Sequence, residues 1–131
     1  MVFAVNKWLR SQMAALAALP GGIFGVAGLG AGGAVTQITS RTTGVTLNKL
    51  CGAITLVSAA GSATAASFTV TNDKVKATDT IIVNQKSGTD LYDIKVTAVA
   101  DGSFRVTFNT TGGTTTEQPV FNFAVLKALA S

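Results

Sequence analysis

The chain has no histidine in 131 residues, which removes the commonest general base, the commonest metal ligand and every Ser/His or Cys/His nucleophile system together. What remains for chemistry is six carboxylates (Asp73, Asp79, Asp90, Asp93, Asp101 and Glu117), one thiol, Cys51, and one phenol, Tyr92. Carboxylates do acid–base work in pairs whose surroundings drive their pKa values apart, but these six are scattered in or beside turn-forming residues, where water is their expected partner. Asp90 and Asp93, around Tyr92, could offer oxygens to calcium; a dense alternating ligand loop is lacking, so a plain turn role is expected. Cys51 has no second cysteine to pair with and reads as a small buried residue of a strand. Gly28, Gly30 and Gly33 formally satisfy G-x-G-x-x-G, yet that fingerprint holds a dinucleotide only where it follows a strand and opens a helix. Here a helical pattern precedes it and strands follow. The expectation is a chain with no catalytic residues, no metal and no cofactor, and so not an enzyme.

Charge narrows the partners. The net +4 comes from ten basic and six acidic side chains. Lys7 and Arg10 stand in an N-terminal stretch without an acid, and the rest of the chain is nearly balanced. No basic stripe tracks a phosphate backbone, so nucleic acid is not an expected partner. Exposed aromatics that would stack on sugars are scarce: Trp8 and Tyr92 are the only Trp and Tyr, and the phenylalanines fall mostly on alternating strand positions, as core residues do.

Two kinds of element must carry these residues, and the composition switches near Val35. Over residues 1–19, Val2, Val5, Leu9, Met13 and Leu16 recur at helical spacing, with Asn6, Lys7, Arg10 and Ser11 opposite. The pattern predicts an amphipathic helix that stops at Pro20, Gly21 and Gly22, followed by a glycine-rich linker in which Ile23, Phe24, Val26 and Leu29 are the apolar points. Residues 1–34 are thus expected to form an arm whose apolar residues, Val5, Leu9, Met13, Leu16, Ile23 and Phe24, need a surface to lie on. The uncharged run from Met13 to Val35 has the length of a membrane span, but its glycines argue against a stable one. Lys7 and Arg10 ahead of that run also match the layout of a secretory signal; an arm docking on a partner subunit is preferred to both, and no membrane partner is expected.

Residues 35–131 have the grammar of strands. Thr occurs 19 times, and β-branched and aromatic residues alternate with polar ones in runs at 35–39, 52–57, 65–71, 80–85, 92–100, 103–109 and 120–127, with a short strand near Val45. So many strands with no helix between them predict a mainly β fold, an antiparallel sandwich, most simply a jelly roll. Asp101-Gly102 between two alternating runs predicts a hairpin with a type I′ turn. In the last run Phe121, Phe123 and Val125 share one face, and the other, with Val120, Ala124 and Leu126, is not polar either. Phe121, Phe123, Val125 and Leu126 are therefore expected to divide between core and subunit interface, with one face meeting another subunit.

The segment Gly44-Val45-Thr46-Leu47-Asn48-Lys49-Leu50-Cys51-Gly52-Ala53-Ile54-Thr55 resembles a group of small virion structural proteins of tailed bacteriophages. The likeness continues through Ser67-Phe68-Thr69-Val70-Thr71-Asn72, Thr78-Asp79-Thr80-Ile81-Ile82-Val83-Asn84 and Phe121-Asn122-Phe123-Ala124-Val125-Leu126-Lys127-Ala128. It spans roughly Gly33 to Ala128, leaves out the N-terminal helix and carries no catalytic motif. The resemblance implies a β-sandwich module on the phage particle: a capsid decoration or cement protein, a head fibre or a part of a tail fibre. A cement protein fits the arm, which would reach across the major capsid protein of the shell at the capsid surface of the virion, after assembly in the host cytoplasm. A homotrimer is the expected state, since a terminal strand apolar on both faces suits packing around a threefold axis. The alternative is a receptor-binding or fibre module whose loops recognise a surface glycan.

Overall fold

A computed structural model describes residues 32–128. The arm residues Val5, Leu9, Met13, Leu16, Ile23 and Phe24, and the expected helix with them, lie outside the described residues. Eight strands follow one another: β1 (Gly32–Thr36), β2 (Val45–Thr46), β3 (Cys51–Thr55), β4 (Ala66–Thr71), β5 (Thr80–Ser87), β6 (Leu91–Ala100), β7 (Ser103–Gly112) and β8 (Val120–Leu126). Among the described residues there is no helix. Every expected run contains a strand, and the short strand at Val45 is present. β1 starts earlier than alternation alone suggests, because Gly32 and Gly33 pair in register with Cys51 and Gly52.

The strands form two four-stranded sheets, sheet I in the order β1-β3-β8-β5 and sheet II in the order β2-β4-β7-β6. Only β6 and β7 are both consecutive and paired; the other connections cross from one sheet to the other. Each crossing reverses the chain and two crossings restore its direction, so β1 lies parallel to β3 and β2 parallel to β4. The remaining pairings are antiparallel. The expectation of a purely antiparallel sandwich is corrected to two mixed sheets, which pack together as a β-sandwich.

The β6–β7 hairpin sits where the sequence places it, with Ala100 opposite Ser103. Its turn differs from the expected type I′, which needs positive φ at both central residues. Only Gly102, at φ 82°, is in that region. The cause is tertiary: Gly102 N–H donates to Val75 O (3.0 Å) and Gly102 O accepts from Asn72 N–H (2.8 Å), so the loop before β5 shapes the turn.

Between the sheets the inward positions of both close-pack. Phe121 of β8 meets Tyr92 of β6 and Phe108 of β7 edge to face, each at 5.4 Å between ring centres, and Phe104 of β7 meets Phe123 of β8 at 5.2 Å. Such pairs add about 0.5–1.5 kcal/mol each beyond the area they bury. Ile54, Leu56, Val70, Val75, Val106 and Val125 fill the space around them. Asn72 is fully buried within this packing and satisfied: its Nδ2 donates to Lys49 O (2.7 Å) and its Oδ1 accepts from Lys74 N–H (3.0 Å).

Candidate docking surface

The outward side of sheet I is built from the alternate positions of its strands. Register sets Gly32, Cys51, Ala124 and Ile82 in one row across the sheet, and Ala34, Ala53, Asn122 and Asn84 in the next. Thr36, Thr55 and Val120 continue the face toward one end, and Leu126 lies opposite Thr80 at the other. None of these residues carries a charge, and Lys86 at the end of β5 is the nearest on that side of the strand. Most of its side chains are small, while Ile82 (50% exposed) and Leu126 (41%) stand out from it. At the centre stands Asn122, whose side-chain Oδ1 is buried and finds no hydrogen-bond partner among the described residues.

The outward side of sheet II is of another kind. Ser67, Thr107 and Thr97 link hydroxyls across β4, β7 and β6 (2.8 and 2.7 Å), Arg105 Nε donates to Thr97 Oγ1 (2.9 Å), and Lys95 pairs with Asp93. These groups are exposed and mutually satisfied, as befits a surface left to water.

The polar residues most like a chemical site gather at one end of the sandwich and hold loops. Arg41 donates from Nε to Val57 O (3.0 Å), from Nη1 to the Tyr92 hydroxyl (3.0 Å), and from Nη2 to Ala59 O and Glu117 O (2.6 Å to the latter). Tyr92 O–H in turn donates to Glu117 Oε1 (3.3 Å), whose carboxylate also accepts the N–H groups of Thr89 and Asp90. Burial pushes the Glu117 carboxyl up, but these hydrogen bonds together outweigh it and hold the group below the ordinary glutamate value. Burial likewise raises the Tyr92 phenol, against the opposing pull of Arg41. Asp90 is 4% exposed and accepts Thr115 N–H (2.7 Å); its carboxylate presses on Gly113, which at φ 100° leaves no room for a Cβ. At the other end Asp79 accepts Lys127 Nζ and the N–H groups of Lys76 and Ala128, and the Lys127 hydrogen bond is the main reason its carboxyl lies below the ordinary range. Every carboxylate of these clusters is turned to an internal donor, so the arrangement can staple loops but offers no free group to a substrate. An open concavity of about 390 Å³ beside the clamp is lined by residues 85–91.

Several expected placements are corrected here. Asp79 and Asp90 are buried, not solvated, because loop N–H groups converge on them. Tyr92 is 7% exposed and is a core residue with its hydroxyl in the clamp. Phe121, Phe123 and Val125 all face the core (1, 4 and 1% exposed), and Leu126 lies on the outward side. The reverse face of β8 holds Asn122 as well as Val120 and Ala124. Arg41 was not singled out by the sequence: a lone arginine between Ser40 and Thr42 gives no signal, and its four acceptors come from distant segments. Among the described residues no group of three or more His, Cys, Asp or Glu could hold a metal ion, and no helix is long and apolar enough to cross a membrane.

No family model matches the chain, and neither a curated protein nor a solved structure matches it.

Proposed function

We propose that the chain is a non-enzymatic structural protein of a tailed-bacteriophage particle, a homotrimeric cement protein that binds the shell of major capsid protein. The observation that carries this reading is the outward face of sheet I. A sheet surface whose residues in register carry no charge, topped by Ile82 and Leu126, opposite a face of linked hydroxyls, Arg105 and the Asp93–Lys95 pair that bears one large exposed apolar residue, Leu91, is what a module built for assembly presents. The resemblance over residues 33–128 supplies the kind of assembly, and the apolar arm of Val5, Leu9, Met13, Leu16, Ile23 and Phe24 supplies a reach beyond the sandwich. The clamp of Arg41, Tyr92 and Glu117 supports the same reading, since its groups are spent on rigidity.

Deleting residues 1–31 tests it. The expected product is a folded sandwich that no longer binds purified particles, while the full chain binds. A receptor-binding or fibre module would keep its ligand after the same deletion, and full particle binding by the truncated chain would move attachment to the sandwich.

A further inference from the structure

The outward face of sheet I is too small to hold a trimer by itself. Four strands about 4.8 Å apart, at about 3.3 Å per residue, give a face on the order of 400 Å², about half of the ~800 Å² that each partner of a stable interface buries. The missing apolar area is available in the chain. Thirty-one residues precede β1, and the first 19 carry the stripe Val5, Leu9, Met13 and Leu16. Folded as the helix that their spacing predicts, they would be about 28 Å long and about 10 Å wide, long enough to cross the roughly 19 Å of four strands. Residues 20–31, rich in glycine, span up to about 40 Å when extended, enough to leave one sandwich and reach the next.

We propose that the N-terminal arm of each copy lies across the outward face of sheet I of a neighbouring copy, with the stripe Val5, Leu9, Met13 and Leu16 seated on Ala34, Ala53, Ala124, Ile82 and Leu126. The inference rests on the homotrimer reading and assigns its contact. An arm that lies on its own sandwich would cover the same residues but would join no subunits. Small side chains on the sheet let the helix approach closely, and with no charge among the residues in register the contact buries no ion. Lys7 and Arg10, on the far side of the helix, are left outward for the shell.

Cys51 lies on this face, half-buried, and is the only cysteine, so it serves as a built-in probe. Leu9→Cys, Met13→Cys and, as an outward control, Arg10→Cys are made singly in the full chain, oxidised mildly and resolved without reductant, with the mass in solution measured in parallel. The expected result is a trimeric mass with disulfide-linked dimers and trimers from at least one stripe variant, and about tenfold less linking from Arg10→Cys, whose thiol lacks the effective concentration of a seated residue. A trimer that yields only intrachain disulfides would overturn the exchange, placing each arm on its own sandwich. A trimer with no stripe-specific linking, or Cys51–Cys51 dimers from the unmodified chain, would also overturn it, the latter in favour of direct sheet-to-sheet packing. A monomeric mass at micromolar concentration would overturn the homotrimer reading itself.

Discussion

The two outer faces of the sandwich differ far more than the two inner ones. Inside, both sheets offer Phe, Val and Ile to one shared core. Outside, sheet II presents linked hydroxyls, Arg105, the Asp93–Lys95 pair and, at the start of β6, the exposed Leu91, whereas the outward rows of sheet I, among the residues in register, hold Gly, Ala, Cys, Ser, Thr, Asn, Val, Ile and Leu and no charged residue. Sheet II alternates apolar and polar as a half-solvated sheet should. Sheet I mixes small apolar residues with neutral polar ones, Thr36, Thr55, Thr80, Asn84, Ser87 and Asn122, and keeps charge out of its rows, which lets a covering surface approach closely. The contrast teaches that burial of one face does not dictate the chemistry of the other.

The sharpest break of this comparison lies within β8, whose two sides belong to the two environments. Phe121→Ala, on the core side, should lower the free energy of unfolding by about 3–5 kcal/mol, measured by denaturant titration. Leu126→Ala, on the outer side, should change it by well under 1 kcal/mol in the separated chain, consistent with its exposure, and should instead weaken self-association in a mass measurement.

Next in size is the clamp that ties the ends of both sheets. Arg41→Ala strips donors from Val57 O, Ala59 O, Glu117 O and the Tyr92 hydroxyl. Hydrogen bonds to a charged group contribute about 1.5–3 kcal/mol each, but they act as one unit, so a loss of about 2–4 kcal/mol is expected. Arg41→Lys should recover only part of it, since an ammonium cannot reproduce the guanidinium fork.

Acid should then act on the loop staples. Asp79 and Glu117 have folded pKa values below their ordinary ones, so their contribution is fully present above the unfolded values. It is lost as pH falls through the folded ones. Stability should therefore be flat from neutral pH to about 5 and drop below about pH 4. Glu117→Gln should flatten part of that drop; an unchanged acid limb would show that the staple does not act as described.

The smallest effects on stability, and the most discriminating ones, are on the faces themselves. Thr97→Ala on sheet II should shift unfolding by no more than about 0.5 kcal/mol and leave the mass in solution unchanged. Ala124→Lys on sheet I should cost little in the separated chain but reduce the assembled mass, because a charge would be buried on assembly.

Much of the fold was legible in the sequence. The alternating runs located all eight strands, the Asp101-Gly102 pair located the hairpin, and the apolar phases of β8 separated Phe121, Phe123 and Val125 from Val120, Ala124 and Leu126. These are local signals: side-chain period 2 and turn chemistry act over a few residues and do not depend on what lies across the sheet. The absence of histidine likewise bounded the available chemistry before any folding. Tertiary structure decided the rest. That β1 runs beside β3 in parallel follows from two crossings of the sandwich, that Gly102 alone takes positive φ follows from the docking of Asn72 and Val75, and that Asp90 is buried follows from Thr115 and Gly113 closing over it. Arg41 gathers acceptors from residues 57, 59, 92 and 117, and the uncharged face of sheet I exists only once β1, β3, β8 and β5 are side by side. A pattern along the chain fixes which way a side chain points, but which neighbours share its face is set by the order of strands, and that order is a property of the whole chain.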